Sequence, residues 1–181
     1  MIAAIIYNSA TGSCKRYADE LSRQLHLPSY PLGSAPTRAD GELIYVSWIM
    51  AGAIVGWKKA KKSGAIAAVV AVGMAPPSEK TAAAIRAKAA IPSQVPVFVL
   101  QGGFHLEKLP APMKLIMKWK VKDIAKQLEA KKAKAPLNAQ EQALWKMVRS
   151  GSGEPASWDA SPVVDWVLNK YRFENALRQK D

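Results

Sequence analysis

Four long apolar segments, each followed by a stretch of helical character, constrain the fold of this chain more than any other feature. They span residues 2–7, 42–48, 65–73 and 95–103, and the only charge in them is Glu42, at the start of the second. Apolar runs of this length are typical of strands buried on both faces of a sheet. Because long crossovers connect them, the pattern predicts an α/β fold with a central parallel sheet.

The segments between these strands supply the other elements. Residues 28–32 are a weaker candidate strand, which brings the sheet to five. Residues 13–25 and 79–90 have the features of helices, and Ser78 can cap the second of these. The last third of the chain is predicted to be helical, with a lysine-rich helix over 111–135 and a capping box of Asn138 and Glu141 before the next helix.

Length and composition narrow the class of protein. At 181 residues the chain is predicted to form one domain, covering residues 1–181. Cys14 is the single cysteine, which excludes an internal disulfide and is compatible with a cytoplasmic protein. The uncharged apolar run between Glu42 and Lys58 has 15 residues, and a membrane-spanning helix needs ~20. The formal net charge of +12 predicts attraction to an anionic partner.

The sequence "NSATGSC" lies where the first strand ends and the first helix begins. Backbone N–H groups at a helix N-terminus attract anions, and hydroxyl side chains and a glycine allow the chain to close around a phosphate. The sequence has neither the Gly-Lys-Ser/Thr ending of a P-loop nor the G-x-G-x-x-G of a dinucleotide site. An ordinary strand-to-helix connection with Thr11 or Ser13 as the N-cap is the alternative. The candidate phosphate ligands are Ser9, Ala10, Thr11, Gly12, Ser13 and Cys14.

This motif resembles the phosphate loop of the flavodoxin-like FMN-binding family, and Cys14 departs from it because the family usually has threonine there. The resemblance implies a flavodoxin-like three-layer sandwich, with a five-stranded parallel sheet in the order 2-1-3-4-5 and extra C-terminal helices. It also implies FMN as the cofactor. In such a sheet the ligand binds at the carboxyl ends of strands beside the switch point.

Two further segments at strand ends are then predicted to surround the flavin ring. Both combine glycine with apolar or aromatic residues, which suits a flat ring approached closely by backbone. In "SWIMAG" the candidates are Trp48, Ile49, Met50, Ala51 and Gly52. In "QGGFHLEKL" they are Gln101, Gly102, Gly103 and Phe104. For each segment a simple strand-ending turn is the alternative.

The closest resemblance within that family is to the flavodoxin-type, quinone-dependent protoporphyrinogen IX dehydrogenases. It rests on "MKLIMKW" after the Gly-containing loop and on "WDASPVVDWV" near the end of the chain. It implies an FMN-dependent oxidoreductase acting on a quinone or porphyrinogen substrate near a membrane. Two features depart from the pattern: Ala51 stands where an aromatic neighbour of the ring is expected, and residues 120–150 look like a helical insertion.

The lysine-rich helix indicates a second kind of surface. Residues 108–134 contain nine lysines and two acidic residues, a net charge of +7. An exposed apolar pair beside these lysines would suit the anionic inner face of a membrane. The candidate contacts are Lys114, Leu115, Lys118, Trp119 and Lys122. A core-packing helix with a solvated basic face is the alternative.

Three classes of function remain open at this point. The first is an FMN-dependent oxidoreductase, the second a flavodoxin-type electron carrier, and the third a flavin-less module that binds a partner through the basic C-terminal helices. Nucleic acid is disfavoured as a partner because the sequence has no interleaved aromatic and basic residues of the kind that bind single-stranded nucleic acid. No His or Cys spacing indicates a metal site, and His105 is a candidate proton donor or pocket residue beside a flavin.

Overall fold

The computed structural model describes residues 1–34, 41–109 and 111–178, with side chains as far as residue 172. The strands of its central sheet are β1 (Ile2–Asn8), β2 (Ser29–Pro31), β3 (Glu42–Met50), β4 (Ala53–Ile54), β5 (Ile66–Gly73) and β6 (Val97–Gln101). Five of them run parallel in the spatial order β2-β1-β3-β5-β6, and β4 pairs antiparallel with β3. Apart from the two-residue β4, this is the predicted order 2-1-3-4-5.

Helices cover both faces of the sheet and complete a flavodoxin-like three-layer sandwich, as predicted. They are α1 (Ser13–Leu25), α2 (Trp57–Ser63), α3 (Glu79–Ala89), α4 (Ala111–Lys132), α5 (Ala139–Ser150) and α6 (Ser161–Arg178). One core cluster joins the sheet to α1 and α6, and a second joins the opposite face to α2 and α3. The extra C-terminal helices of the prediction are α4, α5 and α6.

Strand β3 shows how the sequence fills both layers. Successive side chains of a strand point to opposite faces. Ile44 and Val46 therefore lie in the cluster under α1 and α6, whereas Leu43 and Tyr45 lie in the cluster under α2 and α3. All four are 1% exposed or less, which explains why this strand is a continuous apolar run rather than an alternating one.

The predicted helix caps are confirmed. The Ser78 hydroxyl accepts a hydrogen bond from the Thr81 N–H at 3.2 Å. At α5, the Asn138 side chain accepts from the Glu141 N–H, and the Glu141 carboxylate accepts from the Asn138 N–H. Both caps use N–H groups that have no carbonyl partner inside the helix.

Several element boundaries differ from the predicted ones. Strand β3 continues to Met50 rather than ending at Trp48, and β6 begins at Val97 rather than Val95. The later start of β6 follows from its sequence, because the Val95 N–H closes a turn onto the Pro92 carbonyl and Pro96 has no N–H. A second sheet was not predicted: β7 (Phe104–His105) pairs antiparallel with β8 (Ser152–Gly153).

Residues 120–150 comprise the second half of α4, a connection and α5. Ile124 and Leu128 of α4 pack against Leu144 and Val148 of α5 in a small apolar cluster, which also contacts Met74 beyond the end of β5. Among the residues that the structure describes, no helix is both long and apolar enough to cross a membrane.

Candidate functional site

The three segments predicted to hold a ligand all lie at the carboxyl edge of the sheet. Strand pairing sets Asn8 beside Ser47, and Trp48 beside Val72. Leu100 pairs with Val72 from the other side. The last residues of β1, β3 and β6 therefore lie within about three residues of the same height in the sheet. The segments that follow these strands lie together at its carboxyl edge.

The N-terminus of α1 is open at Gly12. This residue has a left-handed φ of 105°, and no side chain caps the helix there. A Cβ atom built on Gly12 would meet no atom within 4 Å. The first turn contains no acidic residue, so the positive end of the helix dipole is not neutralised locally.

The loop before α1 is ordered by its own hydroxyl. Ser9 Oγ accepts a hydrogen bond from the Gly12 N–H at 3.2 Å. Thr11 is half-buried and Ala10 is exposed. The loop thus places Ser9 and Thr11 directly before the first N–H groups of α1.

Ser13 joins the loop to the segment after β6. The Gly103 N–H donates to Ser13 Oγ at 3.1 Å, and the Tyr17 hydroxyl donates to the Gln101 carbonyl at 2.7 Å. A Cβ atom on Gly102 would lie 2.6 Å from Val72 Cγ1 and 3.1 Å from Ser13 Cβ. Only glycine allows this approach, so the first and third predicted segments are in direct contact.

Cys14 turns inward. Its side chain is 2% exposed and lies in the core cluster under α1 and α6. Burial raises the pKa of the thiol from 9.0 to about 12. A contact between Cys14 and a phosphate would therefore come from its backbone N–H rather than from sulfur.

We expect this burial to make stability fall at alkaline pH. The pKa of Cys14 is higher in the folded than in the unfolded chain, so its contribution is fully present below pH 9 and is lost as pH rises further. Raising the pH from 7 to 10 should therefore lower the free energy of unfolding by about 1.4 kcal/mol through this thiol. Urea unfolding at both values checks this, and Cys14→Ala should show a pH dependence smaller by that amount. Equal pH dependence in the two proteins would contradict the buried neutral thiol.

The second predicted segment is a tight hairpin rather than a loop. Trp48, Ile49 and Met50 belong to β3, which extends beyond the last paired residue of β1, and Ile49 and Met50 pair with β4. Ala51 and Gly52 form the turn, with φ values of 49° and 75°. Two successive positive φ values are typical of a type I′ turn, which suits the twist of a hairpin.

Hydrogen bonds fix this hairpin to its surroundings. Ser47 Oγ donates to the Val55 carbonyl at 2.8 Å, and the Val55 N–H donates to the Trp48 carbonyl at 3.1 Å. Lys88 Nζ donates to the Ala51 carbonyl at 2.6 Å. These three hydrogen bonds therefore hold the hairpin in one position, next to the end of β1 from which the loop before α1 begins.

Two side chains of the hairpin face the same side of the sheet as α1. Trp48 is half-buried against the cluster that contains α1, and Met50, two residues further along the strand, is 46% exposed. Ile49 points to the opposite layer, where it covers Gly73. Trp48 and Met50 are thus the apolar side chains of this segment that share a layer with the open helix end.

In the third segment the side chains of Gln101 and Phe104 are buried, and the two glycines between them contribute only backbone. Gln101 is buried, and its Nε2 donates to the carbonyls of Met74 and Gln140 at 3.0 Å each. No described residue donates to the buried Gln101 Oε1. Phe104 is 5% exposed and belongs to β7. The part of this segment that faces the loop before α1 is the backbone of Gly102 and Gly103.

His105 lies in a polar cluster beside that backbone. Its Nδ1 is 2.9 Å from Ser152 Oγ, and its Nε2 is 3.2 Å from Glu154 Oε1. Glu107 Oε1 approaches the same Nδ1 at 3.4 Å. The imidazole therefore links β7 to β8 and the residues that follow. Within the described ranges, no group of three His, Cys, Asp or Glu residues could hold a metal ion.

Sequence reasoning missed two features of this edge. The segment 74–77 follows β5, which neighbours β3 in the sheet, so it lies closer to the switch point between β1 and β3 than the segment after β6. The predicted strand order already implied this position, but the segment was not counted among the candidate site residues. Arg16 also stacks over Trp158, with its Cζ 4.3 Å from a ring centroid, in a groove of about 440 Å³ that begins at Gly12. No local signal connects those two residues.

The predicted membrane contacts lie on α4, beyond the segment after β6. Leu115 is 63% exposed and Trp119 is 74% exposed. Lys118 and Lys122 are exposed, and Lys114 is half-buried. The apolar pair predicted beside the lysines is therefore on the surface of the molecule.

Comparisons of the chain with protein-family models, with curated proteins and with solved structures found no match. The likeness to the flavodoxin-like family accordingly rests on the sequence motifs and on the strand order.

Proposed function

We propose that this chain binds FMN at the carboxyl edge of its sheet and acts as an oxidoreductase of the protoporphyrinogen or quinone dehydrogenase type. The observation that carries the proposal is the open N-terminus of α1. It has a left-handed glycine with free space around it, no side-chain cap and no acidic residue in its first turn. A helix end of this kind, preceded by hydroxyl residues, fits a phosphate group.

The residues at this edge fit the parts of FMN as follows. The phosphate would be held by the N–H groups of the first turn of α1 and by the hydroxyls of Ser9 and Thr11. Ser13 would act indirectly, because it is buried and its hydroxyl both accepts from the Gly103 N–H and donates to the Gly103 carbonyl. Trp48 and Met50 share the layer of α1 and would contact the ring, with the backbone of Ala51, Gly52 and Gly103 around it.

FMN, when bound, supplies the hydride or electron transfer that no protein side chain provides. The protein would bind, orient and partly desolvate it. The hairpin suits this task because Lys88 fixes its turn and Ser47 fixes its base. Binding would therefore cost little conformational entropy in this segment. The net charge of +12 favours an anionic substrate such as a carboxylated porphyrinogen.

One observation favours the flavin-less partner-binding module instead. The hydroxyl of Ser13 is occupied and the thiol of Cys14 is in the core, which leaves fewer side-chain ligands for a phosphate than the motif suggests. In that case the exposed face of α4 would be the working surface. The two possibilities differ in whether the protein retains a flavin.

Reconstitution with FMN, followed by gel filtration and anaerobic turnover, tests the proposal. A yellow protein that keeps its flavin bands and reduces a quinone with a porphyrinogen as donor would support the oxidoreductase. Retained flavin without turnover would indicate the electron carrier. A colourless protein after gel filtration would exclude both flavin-dependent functions.

A further inference from the structure

We infer that the N-terminal half of α4 docks on an anionic lipid membrane through an apolar face formed by Leu115, Ile116 and Trp119. We call these three residues the α4 apolar face. Two of them were predicted from the sequence, and Ile116 is added by the structure. The inference does not depend on the FMN proposal.

The α4 apolar face is the densest group of exposed large apolar side chains in the described part of the chain. Leu115, Ile116 and Trp119 are 63%, 62% and 74% exposed. Met1, Met50 and Leu168 are the other large apolar side chains found exposed among the described residues. Exposed apolar residues that occur singly are ordinary, whereas a contiguous group marks an interaction site.

This face lies on the side of α4 that the protein does not cover. With 100° between successive residues, Leu115, Ile116 and Trp119 fall within one arc of the helix surface. Val121, Ile124 and Leu128 fall on the opposite arc, where they join the cluster shared with α5. The helix is therefore apolar on both sides, and its outward side has no counterpart within the described structure of the chain.

The charges around the face are of one sign. Residues 108–122 contain five lysines and no acidic residue. Lys118 and Lys122 are exposed, and at 100° per residue both border the arc of the apolar face. Asp123 is the nearest acidic residue after them, and its carboxylate accepts from Gln127 Nε2 at 2.9 Å. Each lysine close to an anionic bilayer strengthens binding several-fold, and an aromatic ring with apolar neighbours suits the lipid interface.

Charge and size favour a membrane over the other occupants. Two copies of this face would bring ten lysines together without an acidic partner, and three side chains are few for a stable protein interface. Nucleic acid would satisfy the lysines but would leave the aliphatic side chains in water. An anionic membrane satisfies both at once. Because α4 begins shortly after β7, docking would bring the carboxyl edge of the sheet close to the lipid.

Flotation of the full-length protein with vesicles tests the inference. We expect binding to vesicles of phosphatidylcholine with about one third phosphatidylglycerol, and roughly tenfold weaker binding to phosphatidylcholine alone. Binding to the anionic vesicles should weaken as salt is raised. Failure to float with anionic vesicles at low salt would overturn the inference, and so would equal binding to both compositions.

Matched variants locate the contact. Trp119→Ser and Leu115→Ser/Ile116→Ser should each reduce binding by roughly tenfold, whereas Leu168→Ser removes an exposed apolar side chain from α6 and should not change it. Lys118→Gln/Lys122→Gln should weaken binding by a similar factor, and Lys58→Gln/Lys62→Gln, with the same spacing on α2, should have a smaller effect. Circular dichroism confirms that each variant is folded.

The variants also separate the other occupants. Equal losses from the α2 and α4 lysine pairs would mean that net charge alone drives binding, and would overturn the inference. Trp119-dependent dimerisation without vesicle binding would assign the face to a second copy of the chain. None of these measurements involves flavin, so a failure here is distinct from a failure of the FMN proposal.

Discussion

Gly12→Asp is expected to lower the affinity for FMN by at least about 100-fold while leaving the chain folded. The new carboxylate would lie at the open end of α1, where the phosphate of FMN would bind. Two such charges about 4 Å apart repel by about 4 kcal/mol at the effective dielectric of a protein surface. The substitution has room, because a Cβ atom at this position meets nothing within 4 Å.

The stability cost of this change should be about 1–2 kcal/mol, because a φ of 105° strains any residue that has a Cβ atom. Aspartate offsets part of this cost, since its carboxylate is favourable at a helix N-terminus. Gly33→Asp is the matched control, since Gly33 has a similar φ of 97° and the nearest obstacle is the flexible end of Lys59. It should leave FMN affinity unchanged. Equal affinity in Gly12→Asp and the wild type would contradict a phosphate site at α1.

Gly102→Ala is expected to destabilise the protein by about 2–3 kcal/mol and to lower its melting temperature by roughly 6–10 °C. Its Cβ atom would lie 2.6 Å from Val72 Cγ1. Val72 is β-branched and 3% exposed, so it has little freedom to move aside. The same clash would separate Ser13 from Gly103 and disturb the contact between the first and third segments.

A double-mutant cycle with Val72→Ala isolates this clash. Val72→Ala alone leaves a cavity and destabilises, yet in the double variant it makes room for the new methyl group. The two changes together should therefore cost at least about 1 kcal/mol less than their sum. Thermal unfolding of the four proteins measures the cycle. Simple additivity would show that the contact between Gly102 and Val72 is not as close as the structure has it.

The fold was predictable because its signals are local. Each of the segments 2–7, 42–48 and 65–73 is apolar on both faces, and that pattern specifies a buried parallel strand without knowledge of the rest of the chain. The caps at Ser78 and Asn138 were equally readable, since each involves residues three positions apart. Strands β4, β7 and β8 have two residues each, which is too short for any periodicity.

The candidate site was only partly predictable because the contacts that shape it join distant residues. The motif identified the loop before α1, but the bond between Ser13 and Gly103 spans 90 positions, and nothing near Ser13 indicates it. The interior position of Cys14 follows from the rotation of α1 on the sheet. Ile116 was missed for a related reason: which side of an apolar helix is covered depends on α5.

A comparison of FMN with riboflavin in equilibrium titrations tests whether the open end of α1 holds the phosphate of a flavin. The two ligands share the ring and differ in the phosphate, which is the group assigned to the open end of α1. We predict saturable quenching of flavin fluorescence by FMN with a Kd of about 1 μM or below, and binding of riboflavin at least about 100-fold weaker. Equal affinities for the two ligands would show that α1 does not hold the phosphate, and no binding of FMN at about 100 μM would exclude FMN as the cofactor.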